Sequence, residues 1–477
     1  MTQSSVTRGG ALQSVIDSSR IFVEPSDVAA YAVGDLIPSV GAKPASPEEA
    51  AEIVRYAAAE KLAVVACGAR TKLAMGAPPL RYDIALDMTG LRQIVHYDPA
   101  DLTLSVDSGM PLAALNATLY EHKQFVPVLN PYYSASTVGG AIASGLDSPL
   151  RQFYGTPRDF LLGAEFIDGS GACLKSGGRV VKNVTGYDLH KLLIGSLGTL
   201  AVITRLNFRT FPAPIAGSRG FVASFPTQEA ALALRHKIAE SQITPLTLDV
   251  LNPTAAGIFA TRTPKLPEVP VFAGEDHSSP HTVLLLPGDW FRRHEWQVCA
   301  AVAGPPEVLD RCARDLTGFA EQFRASAVAI LDDTTRPSVW GRLREVIPLF
   351  RESSPAAAIL RLNVLPGYHA KALSVLESVA HAARLALALV ARASGTLYVA
   401  LLPEAANAAS LEHLAMLSQE VFALGRSCNG DTSLLFAPSA LRGLNAAEGP
   451  PRGRRNLMLR LKAAFDPQGI LAPGRLP

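Results

Sequence analysis

Leu62-Ala-Val-Val-Ala-Cys-Gly-Ala-Arg-Thr-Lys72 is the stretch on which the fold turns. Its first half, Leu62 to Ala66, is a short apolar run with two β-branched residues, the pattern of a buried strand. It passes without a spacer into Cys67–Lys72, where Gly68 and the small Ala69 let the backbone turn tightly and come close to a ligand. Upstream, Pro47-Glu48-Glu49 opens an amphipathic helix with Ala50, Ile53, Val54 and Ala57 on one stripe, ended near Lys61. Downstream, Leu102 to Val106 alternates as a strand and stops at Ser108-Gly109. A helix from Pro111 to His122 follows, with proline in its first turn, where a missing N–H costs nothing. Asp168-Gly169-Ser170-Gly171 lies between the strands Leu162–Ile167 and Cys173–Lys175 and reads as a hairpin.

Two more segments concentrate glycine with small hydroxyl residues: Ser134-Ala-Ser-Thr-Val-Gly-Gly-Ala-Ile-Ala-Ser-Gly145 and Gly195-Ser-Leu-Gly-Thr-Leu-Ala-Val-Ile-Thr204. Successive N–H groups in such turns form a concave site for an anion such as a pyrophosphate. Neither common nucleotide fingerprint fits. There is no G-x-x-x-x-G-K-[ST], which excludes a P-loop NTPase. Nor does a G-x-G-x-x-G join a strand to a helix with an acidic residue about twenty positions on, as a Rossmann site requires.

The 477 residues suffice for two to four domains. Lys plus Arg number 44 against 42 Asp plus Glu, a net charge of +2 that argues against nucleic acid as a partner. Apolar residues make up 48%, which excludes disorder as the dominant state. Five dispersed cysteines without a C-x-x-C pair point away from a disulfide framework, a zinc site or an iron–sulfur cluster. The N-terminus lacks a signal-peptide core. The most apolar stretch, Leu385 to Pro403, is broken by Arg392, Ser394 and Gly395 and reads as helix, turn and strand rather than a membrane span. The expected location is cytoplasmic. Asn183–Thr185, formally a glycosylation acceptor, is discounted with it. His277 and His281 stand at i and i+4, but Pro280 denies them a helix, so no metal site is expected.

Phe211-Pro-Ala-Pro214 reads as a linker. Beyond it come a strand (Gly220–Phe225), a helix (Gln228–Ser241), a strand (Leu246–Leu251) and a Pro-rich loop to about Pro280. A similar pattern recurs at Ile359–Leu365, Tyr368–Arg384 and Leu397–Leu402. Units of this kind predict an antiparallel sheet covered by helices on one face. A last helix runs from Asn456 to Phe465, with Leu457, Met458, Leu461, Ala464 and Phe465 as its apolar stripe. Arg452, Arg454, Arg455, Arg460 and Lys462 read as a solvated basic face. The expected division is 1–214, 215–430 and 431–477, the last packing back toward the first.

In this order and spacing the segments resemble the FAD-binding domain of the vanillyl-alcohol oxidase (PCMH-type) superfamily. The resemblance covers about residues 20 to 212 and runs through Pro44-Ala-Ser-Pro-Glu-Glu, Cys67–Lys72, Thr137-Val-Gly-Gly, Tyr154-Gly-Thr-Pro-Arg-Asp159 and Gly195–Thr204. Gly178–Asp188 and Leu461–Arg475 look like the FAD-binding subunits of bacterial glycolate oxidase complexes. The implied fold is α+β: a PCMH-type FAD-binding domain of two α/β subdomains, plus an antiparallel-sheet cap with helices on one face. By the same resemblance, Gly68, Ala69, Arg70, Thr71 and Lys72 wrap the FAD phosphates through main-chain N–H groups. Thr137, Gly139, Gly140, Ser144 and Gly145 line the ribityl and pyrophosphate path. Gly155 and Asp159 set the loop beside it, and Val202 and Ile203 meet the adenine end. Two departures stand out. Ala201 replaces a customary glycine, and Cys67-Gly-Ala replaces a more glycine-rich loop. Members with covalent flavin carry a histidine in the first loop; none is present here, so the implied FAD is non-covalent.

Oxidising a 2-hydroxy acid needs a base for the hydroxyl proton and a cation for the carboxylate. Catalytic subunits of related glycolate and D-lactate enzymes carry His-x-Gly-Asp-Gly-Asn-x-His. The nearest string, Ser427-Cys-Asn-Gly-Asp-Thr432, lacks both histidines and reads as a turn before a strand at Ser433–Phe436. The catalytic residues are therefore not identified. Arg361 and Tyr398, on strands of the middle region, either face the flavin or bond at the sheet face; His122 and His190 read as cap or core residues. The expected role is that of an FAD-binding subunit of an oxidase or dehydrogenase complex for glycolate or a similar small 2-hydroxy acid. A second flavin subunit and an iron–sulfur subunit would be its partners, with membrane contact only peripheral and through them. A self-sufficient FAD-dependent dehydrogenase of another hydroxy acid or alcohol, or a non-catalytic assembly subunit, are the alternatives.

Overall fold

The computed structural model describes residues 10, 12–179, 186–214, 217–262, 294–332, 336–441, 443–444, 448 and 452–476. His277, His281 and Asn183–Thr185, considered above, lie outside the described residues, as does part of the Gly178–Asp188 motif.

The first layer is a four-stranded sheet in the order Ile21–Phe22, Val40–Ala42, Ile84–Asp87, Val64–Cys67; its last three strands run parallel. The helix Pro47–Ala59 covers it. Ser46 starts that helix by accepting a hydrogen bond from Glu49 N (3.2 Å), with Pro47 in its first turn. Its buried stripe of Ala50, Ile53, Val54 and Ala57 packs on Val64, Ile84 and Leu86. The chain's C-terminal segment completes this layer: Val64 N donates to Ile470 O and Ala472 N to Val64 O, both at 2.8 Å.

The second layer is an antiparallel five-stranded sheet, Ile94–Asp98, Thr103–Asp107, Val202–Arg209, Leu161–Ile167, Cys173–Gly177. The Asp168–Gly171 turn forms the expected hairpin. Phe211–Pro212 is more than a linker, since it pairs with Gln124–Phe125 in a two-stranded ladder.

The third layer is an antiparallel eight-stranded sheet built from two units of the same β-α-β-β-α-β pattern. The first unit contributes, in spatial order, Ala327–Leu331, Ser218–Phe225, Trp296–Ala303 and Thr247–Leu251. The second contributes Ala386–Arg392, Thr396–Leu402, Ala358–Asn363 and Asp431–Phe436. The units join where Asp249–Leu251 pairs with Val390–Arg392. The sheet thus extends past residue 430. Four long helices, Gln228–Glu240, Pro306–Gln322, His369–Ala382 and Ala408–Ser427, cover one face. On the other face lie shorter helices, Pro253–Thr261, Arg336–Arg344 and Val346–Arg351, between the sheet and the five-stranded layer.

Two sequence expectations need correction here. Leu385–Pro403 is a hairpin of two strands, not helix, turn and strand. Leu387, Leu389 and Ala391 face the long helices, while Ala388 and Val390 face the opposite core. A strand buried on both faces is apolar throughout, and periodicity cannot separate it from a buried helix. The Pro-rich loop after Leu251 begins instead with the helix Pro253–Thr261, where Asn252 caps Ala255 N (3.0 Å).

Candidate functional site: a cleft lined by three glycine segments

Between the first two layers lies a cleft. The loop after the strand Val64–Cys67 forms one wall, the helix Val138–Ser144 a second, and Leu197, Gly198, Ala201 and Ile203 a third. Close backbone approach explains the glycines. A Cβ on Gly68 would lie 2.1 Å from Thr137 Oγ1, so any side chain there would push the first loop off the second. Thr137 is the N-cap of the helix, its Oγ1 accepting from Gly140 N at 3.2 Å. Gly139 N donates to Ser108 O at 2.7 Å, which brings Ser108 into the wall.

The cleft is rich in donors. No backbone N–H from Gly68 to Lys72 has a hydrogen-bond acceptor among the described residues. Arg70 holds a left-handed conformation (φ 63°) that turns the loop around the space in front of it. Arg70, Lys72 and Arg475 contribute charge, and no carboxylate among the described residues lines the cleft. The Arg70 guanidinium lies 4.7 Å from the centre of the Tyr31 ring, and Tyr31 OH donates to the buried Asp87 at 2.6 Å. Arg475 Nη2 donates to Leu73 O (2.7 Å) and Met75 O (2.6 Å), tying the C-terminus to the far end of the first loop. Burial pushes the Cys67 thiol well above its ordinary range and makes it a poor nucleophile.

Of the residues singled out from the sequence, Gly68, Ala69, Arg70, Thr71, Lys72, Thr137, Gly139, Gly140, Ser144 and Ile203 line this cleft. Four do not. Gly145 ends the helix in a left-handed turn behind the wall (φ 58°), packed on Gly195. Gly155 and Asp159 belong to a separate turn, in which Asp159 Oδ2 accepts from Thr156 N (2.7 Å) and Thr156 Oγ1 (2.9 Å). The Val202 side chain is buried in the core of the first layer. Ser108, Leu73, Met88 and Arg475 also line the cleft. Of these, Ser108 had a signal in the Ser108-Gly109 strand end, and Arg475 in the terminal motif Leu461–Arg475.

The eight-stranded layer grips both ends of the second glycine segment. Before it, Glu345 accepts from Tyr132 N (2.6 Å) and Tyr133 N (3.1 Å), and Arg351 donates to Tyr132 OH (2.8 Å). After it, Arg361 Nη1 donates to Gly145 O at 2.7 Å, and Tyr398 OH accepts from Asp147 N at 3.2 Å. Arg361 and Tyr398 thus bond at the sheet face. His122 packs edge-on against Tyr97, and His190 is buried against Ser176. Ser427–Thr432 forms the end of a helix and the start of the edge strand, away from the cleft lining. Lys462, expected on a solvated face, is instead turned inward: its Nζ donates to Thr199 O (2.6 Å), Leu471 O (2.7 Å) and Asp466.

A donor-rich cleft with no carboxylate in its lining among the described residues, formed by glycine loops between two layers, suits an anionic dinucleotide. Residues 38–177 match the FAD binding domain family, and residues 452–476 match the C-terminal domain of FAD linked oxidases. The two segments are thus similar to FAD binding domains and to the C-terminal domain of FAD linked oxidases, respectively, and the cofactor is FAD. Among curated proteins it is similar to glycolate oxidase subunit GlcE of Escherichia coli, 38% identical over 42% of this chain and 55% of that protein. D-2-hydroxyglutarate dehydrogenase of Xanthomonas citri is 33% identical over 43% of this chain and 44% of the relative. Glycolate oxidase subunit GlcD of Bacillus subtilis is 22% identical over 92% and 89% of the two chains. The chain thus spans about half the length of the first curated relatives it matches. Among solved structures, 4-ethylphenol oxidase from Gulosibacter chungangensis superposes with a TM-score of 0.73 at 17% identity, covering 100% of this chain and 97% of the other. That likeness establishes the fold. The cleft fits the cofactor: its free N–H groups and cationic lining suit a pyrophosphate, and the buried Ser108 Oγ of the lining has no partner among the described residues. FAD supplies the electron acceptor, and the chain supplies binding and electrostatics.

Proposed function

We propose that this chain is the FAD-holding subunit of a complex that oxidises glycolate or a similar small 2-hydroxy acid, passing electrons to partner subunits. The observation that carries the reading is the 201-residue match to a glycolate oxidase subunit. A second observation favours a subunit over a self-sufficient enzyme: among the described residues, no histidine, aspartate or glutamate lines the cleft to take a hydroxyl proton. The FAD contacts we assign are the main-chain N–H groups of Gly68 to Lys72 for the phosphates, with Thr137, Gly139, Gly140 and Ser144 along the chain of the cofactor. Gly145, Gly155 and Asp159 act by holding the loops behind, and Ile203 together with the Val202 backbone meets the adenine end. Residues 1–214 form the cofactor unit in this proposal, with 452–476 returning to it and 215–436, including the edge strand Asp431–Phe436, facing substrate or partners. A second flavin subunit and an iron–sulfur subunit complete the complex.

The test is anaerobic addition of glycolate to the FAD-loaded chain, alone and then with candidate partner subunits. The expected result is a flavin that stays oxidised alone and bleaches in the assembled complex. Bleaching by the chain alone would establish a self-sufficient dehydrogenase, and failure to take up FAD would leave an assembly role.

A further inference from the structure

Lys72, one of the three cations lining the cleft, makes no ion pair among the described residues. Lys72 is 9% exposed, and its Nζ meets only hydroxyl groups, Ser136 Oγ and, at 3.2 Å, Thr71 Oγ1. The ring of Tyr132 lies below it, 5.7 Å from Nζ to the ring centre. The charged groups around it are committed elsewhere. Glu345, whose field favours the ammonium, is bonded to Tyr132 N, Tyr133 N and Arg344 Nε. Arg351 is spent on Tyr132 OH, and Arg70 and Arg475 add charge of the same sign to the cleft wall. A buried ammonium is costly without an anion beside it. The same wall carries the free N–H groups of Gly68 to Lys72 and the unpartnered Ser108 Oγ.

We propose that the Lys72 ammonium is a side-chain ligand for the pyrophosphate of the bound dinucleotide, a charge contact added to the main-chain cradle. The proposal rests on the FAD reading of the cleft and gives it a pH signature. Burial pushes the free amine down to about 7. A pyrophosphate bound to the protonated form raises it again. Cofactor affinity should therefore weaken as pH rises above about 7, by up to about tenfold per unit, until the amine of the complex itself titrates.

The experiment measures FAD and ADP binding to the full-length apoprotein by calorimetry between about pH 6 and 9. ADP carries the pyrophosphate without the flavin ring. We expect the wild-type chain to lose affinity for both as pH rises. Lys72→Met should bind both about tenfold to a hundredfold more weakly at low pH, the worth of a charge-assisted hydrogen bond, and with no pH slope. Lys72→Arg should retain affinity and also lose the slope, which guards against a variant that merely misfolds. Loss of FAD affinity with ADP unaffected in Lys72→Met would overturn the proposal by placing the amine at the ring. A flat wild-type profile with tight FAD binding would overturn it while leaving the FAD reading intact. Binding of neither ligand at any pH would overturn both.

Discussion

Gly68 has no room for a side chain, because its loop lies directly against Thr137 of the second glycine segment. Gly68→Val would drive two methyl groups into Thr137 and part the two loops that form the cleft. The expected outcome is a folded protein, by circular dichroism, that no longer retains FAD, read as loss of the visible flavin band. Lys72 makes a second prediction, this one for the apoprotein. Its amine is pushed down to about 7 in the folded state and returns to its ordinary value, 10.5, when unfolded. Between these values the unfolded chain binds more protons, so apoprotein stability rises with pH from about 7 upward, at most about 1.4 kcal/mol per unit. The denaturant midpoint of wild-type apoprotein should rise with pH in that window while that of Lys72→Met stays flat, and the wild-type slope should shrink once FAD is bound. Gly68 and Lys72 were both legible in the sequence, since a glycine and a lysine directly after a buried strand are unusual. The contact made by Arg475 was not. It reaches the loop across about four hundred residues, and no local pattern encodes such a contact.

At the scale of elements, the C-terminal segment clamps the first layer through Asp466. This carboxylate, 2% exposed, accepts from Ile470 N (3.0 Å) and Leu471 N (2.8 Å) and pairs with Lys462. Asp466→Ala would strand the Lys462 ammonium and two backbone donors, at a cost of about 3 kcal/mol. Thermal melts should show the loss, together with weaker FAD retention, because Arg475 would no longer be held against Leu73 and Met75. The basic run 452–462 read as a solvated face because spacing alone does not say which cation folds inward. The helix–strand–loop pattern around Val64–Cys67 and the Asp168–Gly171 hairpin were legible because turn residues and periodicity agreed. Ala386–Arg392 was not, since a strand with two covered faces loses the alternation that would identify it. The helix Pro253–Thr261 had its signal, Asn252-Pro253, a cap followed by proline in the first turn. The surrounding proline-rich composition obscured it.

For the whole molecule, the eight-stranded layer acts on the cleft through the two ends of the helix Val138–Ser144. Replacing Arg361 by alanine removes the hydrogen bond to Gly145 O. It should weaken FAD binding by about fivefold to tenfold without unfolding either half, measurable by fluorescence titration. Recurring units in the middle region were legible from the sequence. That two β-α-β-β-α-β units share one continuous sheet was not, because the seam between Asp249–Leu251 and Val390–Arg392 pairs residues about 140 positions apart. The measurement that bears most directly on the central claim is reconstitution of the purified full-length chain with FAD, followed by acid denaturation. The prediction is one flavin bound per chain, all of it released to the supernatant on denaturation, with Gly68→Val binding none. A wild-type chain that takes up no flavin, or one whose flavin stays attached after denaturation, would contradict a non-covalent FAD site in this cleft.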